Sequence, residues 1–227
     1  MRDARLFTDR RDAGHQLADR LAGYARLDPV VLAMPRGGIP VAVEVATRLA
    51  APLDIIVVRK IGCPWQPELG LGALAEGGVR VLNEALMADV GVGRAALDEV
   101  TAQEQDELDR RVTRYRRDRR AVPVDGRAVI LVDDGLATGY TALAAIEAIR
   151  RRGGRRVILA VPVAPRDSLE RMRAAADEVV VVETPRWFPG VGAFYRRFDQ
   201  TSDDEVVAIL EGAARPGDVP RRALSDG

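Results

Sequence analysis

The sequence predicts an α/β protein with a mostly parallel central sheet flanked by helices. Short apolar runs alternate with stretches of helical periodicity over most of the chain, the pattern of strands joined by helical crossovers. Apolar residues make up 47% of the 227 positions and charged residues 30%, which suits a buried core inside a solvated surface. One apolar run, at 128–132, ends directly in two acids, Asp133 and Asp134, before a turn of small residues. In parallel sheets, ligands bind beyond the carboxyl ends of the strands, so this is where functional side chains are expected.

Residues 30–34 (VVLAM) read as the first strand, and 40–49 as the helix after it, with Val41, Val45 and Leu49 at four-residue spacing. The next strand is expected at 55–58, entered from Asp54. Residues 62–76 (GCPWQPELGLGALAE) carry enough Gly and Pro to predict a long loop with a short strand near 71–74. Long loops inside compact domains often serve as lids. A strand is expected at 79–82, and one long helix at 94–120, acid-rich first and arginine-rich later, in keeping with the helix dipole. Further strands are expected at 128–132, 157–163 and 179–182, with a helix beginning near Tyr140. The chain reads as one domain over 1–211, followed by a flexible Pro-, Gly- and charge-rich tail at 212–227.

Composition removes several function classes. The formal net charge is +0, so no global field draws the protein to nucleic acid or to a membrane. No apolar run approaches the ~20 residues that span a bilayer, and the opening MRDARLFTDRRDAG lacks the apolar centre of a signal peptide, so a cytoplasmic location is expected. The single cysteine, Cys63, and the single histidine exclude an internal disulfide and the usual kinds of zinc site. Of 34 basic residues only Lys60 is a lysine, which marks it as a position where a compact ammonium on a flexible stem is wanted.

The turn after the acid pair has its own chemistry. Gly135, Ala137 and Gly139 permit tight turns and close approach of a ligand, while Thr138 and Thr141 supply hydroxyls. The helix starting near Tyr140 turns its free N–H groups and positive dipole end toward the loop, making a nest for a phosphate. GLATGYT lacks the lysine and spacing of a Walker A loop, and the sequence has no dinucleotide fingerprint. Adjacent carboxylates beside a phosphate nest can hold the hydroxyl pair of a ribose or a bound Mg²⁺.

Residues 129–141, VILVDDGLATGYT, resemble the phosphoribosyl-pyrophosphate (PRPP) signature of type I phosphoribosyltransferases. The resemblance implies that fold, with a small C-terminal hood at about 184–200 and an inserted long helix at about 94–120 that serves dimerisation or lid support. It implies that Asp133 and Asp134 bond the ribose 2- and 3-hydroxyls, while Gly135 and the stretch Ala137, Thr138, Gly139, Tyr140 and Thr141 cradle the 5-phosphate. The segment Met34-Pro35-Arg36-Gly37-Gly38 resembles the family's pyrophosphate loop, in which a basic residue and a glycine, here Arg36 and Gly37, are often joined by a cis peptide, and Arg59-Lys60 resembles the Arg-Lys pair of adenine-type enzymes. Arg36 and Lys60 would thus act on the leaving group with Gly37 and Gly38, and residues 61–76 would be the flexible loop closing over the substrate. In the hood, Phe188 and next to it Trp187 match the aromatic that stacks on the base.

The implied reaction transfers a phosphoribosyl group between PRPP and a nitrogenous base, with Mg²⁺ carried mainly by PRPP rather than by direct protein ligands. Two departures narrow the base. The 6-oxopurine enzymes have a third acid in the loop, where this chain has Ala137, and a lysine near the following strand, where it has Val161-Pro162-Val163-Ala164. Hypoxanthine and guanine are therefore not the expected acceptors. A second class fits the same pocket: a non-catalytic PRPP-binding regulatory protein, for which the basic runs RRVTRYRRDRR (110–120) and RRRGGRR (150–156) would contact nucleic acid. A Mg²⁺-dependent phosphatase or kinase fits poorly, for want of an Asp-x-Asp spacing or a P-loop.

Overall fold

The computed structural model describes residues 6–117 and 119–213. It opens with α1 (Arg10–Leu21), capped by Asp9, whose carboxylate accepts from the backbone N–H groups of Arg11 and Asp12. A 3₁₀ turn (Ala22–Leu27) leads to β1 (Val30–Ala33), α2 (Gly38–Leu49) and β2 (Leu53–Ile55). Then come β3 (Val58–Cys63), β4 (Gln66–Ala75), β5 (Val79–Leu82), α3 (Glu84–Val90) and α4 (Arg94–Arg116). The chain continues with β6 (Ala128–Val132), α5 (Tyr140–Arg151), β7 (Arg156–Val163), α6 (Arg166–Ala175) and β8 (Glu178–Glu183). A second 3₁₀ turn (Val191–Phe194) and α7 (Asp203–Gly212) follow.

Strands β2, β1, β6, β7 and β8, in that order, form a five-stranded parallel sheet, and helices cover both faces. Strands β1 and β6 are buried along their whole length, which explains their uninterrupted apolar sequences. Their side chains alternate between two cores. Val31, Ala33, Ile130 and Val132 pack with Leu17 of α1 and Val41 and Val45 of α2. Val30, Leu32, Val129 and Leu131 pack with Ala142, Ile146 and Ile149 of α5. Each Val, Leu or Ile among them stabilises the fold by about 1.5–3 kcal/mol if fully removed from water. The crossover from β1 goes to β2 on one side and that from β6 to β7 on the other. The carboxyl ends of β1 and β6 therefore lie side by side at a switch point, the place where such sheets bind ligands.

Two sequence expectations need correction. The apolar run at 55–58 is not one strand. Ile56 and Val57 are a buried link between β2 in the parallel sheet and β3 in a separate antiparallel sheet of β3, β4 and β5. Nor is 62–76 a loop. It forms the end of β3, a tight turn at Pro64-Trp65, and all of β4, with the expected short strand lying inside β4. Its glycines permit close packing rather than disorder. A Cβ on Gly62 would meet the carbonyl oxygen of Pro67 at 2.5 Å, and one on Gly72 that of Val81 at 2.2 Å. Irregular pairing around Gly62 marks a bulge, where Pro67 is tolerated. The flexible closing loop expected there is a paired hairpin.

Helix α4 is shorter than expected, ending at Arg116, with Arg117 at φ 47°. Its last side chain is 11% exposed. Arg116 Nη1 donates to both oxygens of Asp54, at 2.9 and 2.8 Å, while Nη2 reaches the Ile55 carbonyl at 2.9 Å and Glu76 at 3.0 Å. Asp54 also accepts the backbone N–H of Val122 at 2.7 Å. This network fastens α4 to the junction of the two sheets. Helix α7, absent from the sequence reading, starts at a capping box between Ser202 and Glu205 and buries Val206, Val207 and Leu210. The expected tail at 212–227 lies, from 214 onward, outside the described residues.

Candidate active site

Strand β6 delivers Asp133 and Asp134 to the switch point, and β1 delivers the loop of Arg36, Gly37 and Gly38 beside them. Both loops press together. A Cβ on Gly37 would fall 2.1 Å from Asp134 Oδ2, and one on Gly38 would fall 2.7 Å from the Val132 carbonyl. Only glycine allows that approach. The cis peptide bond of this loop lies at Pro35–Arg36, one position before the Arg36–Gly37 bond that the resemblance implied.

The two acids are unlike in environment. The backbone N–H of Asp134 donates to Asp133 Oδ1 at 2.9 Å. Burial, with the Asp134 charge next to it, pushes the Asp133 carboxyl well above the usual carboxylate range. Burial also raises Asp134, but there the nearby Arg10 guanidinium opposes it, its Nε donating to Oδ2 at 2.7 Å. The Tyr195 hydroxyl donates to the Asp134 carbonyl at 2.5 Å. Neither Arg10 nor Tyr195 figured among the residues expected from sequence. Arg10 follows the helix-capping Asp9, but nothing local ties it to an acid 124 positions away.

Beyond the acids, the loop is held from outside by its carbonyls. Ser168 Oγ donates to the Ala137 carbonyl, and Arg171 Nη1 to that of Thr138 at 2.6 Å. Gly139 adopts φ +84°, a conformation that favours glycine, and caps α5. Among the described residues no protein acceptor takes the backbone N–H groups of Ala137 through Thr141. Ala137 and Thr138 are exposed, Tyr140 and Thr141 half-buried. The arrangement is an open helix N-terminus with fixed carbonyls, suited to an anion. Gly135 is filled from the other side, since a Cβ there would lie 2.5 Å from Val191.

Of the two expected cations, Arg36 lies in the loop against the acids and faces Asp203 of α7 at 3.6 Å. That Asp203 also accepts from the Tyr115 hydroxyl at 2.6 Å and Arg114 at 3.1 Å. Lys60 is exposed on β3, and its ammonium donates to the Glu68 carbonyl within the hairpin. Among the described residues no hydrogen bond or ion pair joins Lys60 to the acid pair or the loop after it.

The hood aromatics form a small cluster. Phe188 is half-buried and stacks on Phe194 with centroids 5.4 Å apart. Trp187 is 77% exposed. Tyr195 packs between Phe7 and Phe198, at 5.2 and 4.9 Å. The N-terminal strand segment pairs with the hood, Phe7 N–H donating to the Phe194 carbonyl at 3.0 Å and Arg196 N–H to that of Phe7 at 2.9 Å.

The chain matches the model of the phosphoribosyl transferase domain over residues 10–199. Proteins of two Mycobacterium tuberculosis strains, whose names carry the words phosphoribosyl transferase, are 53% identical over 211 residues, covering 93% of this chain and 48% of theirs. The chain thus spans about half the length of these relatives. The crystal structure of TT1426 from Thermus thermophilus is similar with a TM-score of 0.77 and 45% identity, covering 92% of this chain and 99% of that one.

Proposed function

Because this chain belongs to the phosphoribosyl transferase family, we propose that it uses PRPP to transfer a phosphoribosyl group to or from a nitrogenous base, with pyrophosphate as the other product or reactant. The observation that carries this reading is the contact of the Gly37-Gly38 loop with the Asp133-Asp134 pair, beside an open anion nest. A ribose diol, a 5-phosphate and a pyrophosphate need three such groups within one sugar's reach.

In this reading Asp133 and Asp134 accept the ribose hydroxyls, and the N–H groups from Ala137 to Thr141 take the 5-phosphate. Arg36, Gly37 and Gly38 hold the pyrophosphate. Lys60 joins them by exchanging its bond to Glu68 for the leaving group when the hairpin moves in. Phe188 and Trp187 border the base. The residues present fit Mg²⁺ carried by PRPP itself: the described residues hold no cluster of three or more metal-ligating side chains, and the acid pair would meet the ion through the ribose hydroxyls it accepts. When bound, Mg²⁺ neutralises charge on the pyrophosphate. The protein's own work is to hold C1 of the ribose in line between leaving group and nucleophile and to stabilise the departing charge with Arg36 and backbone N–H groups. The missing acid at Ala137 and missing lysine at 161–164 favour adenine or a non-purine heterocycle over a 6-oxopurine. The reaction would proceed in the cytoplasm; no helix among the described residues is long and apolar enough to cross a membrane.

The regulatory alternative finds its basic segments engaged. Arg110 and Arg111 pair with Glu107, Arg114 with Asp203 and Asp204, Arg116 with Asp54 and Glu76, and Arg117 with Glu211. Arg150, Arg151 and Arg156 pair with Asp177, Glu147 and Glu178. Phosphate backbones would have to compete with those carboxylates for the guanidinium groups.

Thermal melting with PRPP and Mg²⁺ tests the reading. Ligand at ~100 times its dissociation constant should add about 2.7 kcal/mol. The Asp133→Asn, Asp134→Asn double variant should fold yet lose this gain. Base-dependent pyrophosphate release over a panel of nucleobases then names the acceptor. An unshifted melt at millimolar PRPP would sink the proposal.

A further inference from the structure

Arg10 is held at three points by two distant parts of the chain, the end of β6 and residues 198–199. Its Nε donates to Asp134 Oδ2 at 2.7 Å, its Nη1 to the Asp199 carbonyl at 2.5 Å, and its guanidinium lies over the Phe198 ring, 3.8 Å from the centroid. The side chain is only 12% exposed, unlike a loose surface pair. Asp134 is restrained in turn by Gly37 packed on Oδ2 and by Tyr195 on its carbonyl. A carboxylate offers about four lone-pair positions. The Arg10 bond takes one on Oδ2 and fixes the plane of the group, leaving positions on Oδ1 for a ligand hydroxyl.

We propose that Arg10 is a positioning residue of the site, whose clamped guanidinium holds the Asp134 carboxylate in the orientation that a sugar diol requires. The inference rests on the diol role given to Asp134 above. Arginine suits the task because a flat, forked cation can lie face-on over Phe198 while its edge donates to both Asp134 and Asp199, a fixed geometry that the rotatable ammonium of lysine lacks.

The test uses Arg10→Gln and Arg10→Lys, each alone and combined with Asp134→Asn, with melting curves to confirm folding. Calorimetric titrations use ribose 5-phosphate, PRPP and inorganic pyrophosphate with Mg²⁺. Arg10→Gln should weaken ribose 5-phosphate by about tenfold or more and leave pyrophosphate unchanged. Arg10→Lys should restore part of that loss. In the Asp134→Asn background the Arg10→Gln loss should disappear, because coupled residues do not add. Equal losses for both ligands, an additive loss with Asp134→Asn, or no recovery in Arg10→Lys would overturn the inference while wild-type binding stands. Wild-type protein that binds neither sugar phosphate would overturn the proposed function, and this inference with it.

Discussion

The α-carbon of Gly37 sits so tightly against Asp134 that a methyl group on it would lie 2.1 Å from the carboxylate oxygen. No pair of non-bonded heavy atoms tolerates that distance, so if Gly37 gains a side chain either the Asp134 carboxylate turns out of its bond to Arg10 or one of the two loops moves.

Gly37→Ala should therefore cost about 1–3 kcal/mol of stability and remove the PRPP-dependent rise in melting temperature. Gly23→Ala is the control, since a Cβ there meets nothing within 4 Å. It should stay within about 1 kcal/mol of wild type. Calorimetric melts with and without PRPP separate the two. A Gly37→Ala protein that keeps the full ligand response would show that the contact is dispensable.

Asp133→Asn should raise the melting temperature of the unliganded protein at neutral pH. The Asp133 carboxyl is raised by burial and by Asp134, so the folded state holds a proton that the unfolded state releases above its ordinary value of 3.8. Stability is thereby lost as pH rises from there through the raised folded value. Asparagine carries no such penalty and keeps an oxygen for the Asp134 N–H. The gain should vanish below the ordinary carboxylate range, where both states are protonated. Melts across pH read this directly, and a neutral-pH loss of stability in Asp133→Asn would contradict it.

Phe188 and Trp187 should separate packing from base contact. Phe188 stacks on Phe194, so Phe188→Ala should lower the melting temperature as well as base-dependent pyrophosphate release, the latter by roughly ten- to a hundredfold, or 1.4–2.7 kcal/mol. Trp187 is exposed, and Trp187→Ala should leave stability within about 0.5 kcal/mol. PRPP titrations should change by less than a factor of about two in both. A large loss of PRPP affinity would assign these aromatics to support of the phosphate site instead.

Arg116→Ala should be among the most damaging changes in the chain, about 3–5 kcal/mol, because it strands Asp54 and Glu76 without their buried partner. Arg117→Ala, one residue on, removes an exposed pair with Glu211 and should cost no more than about 1 kcal/mol. Urea unfolding of the two variants measures the contrast. Similar small losses would mean that water replaces Arg116 at the sheet junction.

The parts of this molecule that could be read from sequence are those in which cause and effect are local. The β6 run, the acid pair and the small-residue turn lie within a few positions of one another, so strand, site and loop appear together. The hairpin was misread because glycine and proline are loop signals, whereas Gly62 and Gly72 are there to let backbones touch across strands. Residues 55–58 looked like one strand because burial is continuous while the sheet changes. Helix α7 did announce itself, through Ser202 and Glu205 before an apolar run, and that signal was available but unread. Arg10 gave none: its importance depends on Phe198, Asp199 and Asp134 meeting it in space.

The pairing of Phe7 with Tyr195, and of Tyr195 with Asp134, also orders events during synthesis. Tyr195 follows Asp134 by 61 residues. At about 5–20 residues per second, a ribosome needs roughly 3–12 s to cross that interval. Through that time the nascent chain carries both acids and the loop after them without the hood aromatics. On the proposed reading, a released chain truncated before Tyr195 should grip a sugar phosphate less well than one that includes the hood, because the hydroxyl that fixes the Asp134 carbonyl is not yet made.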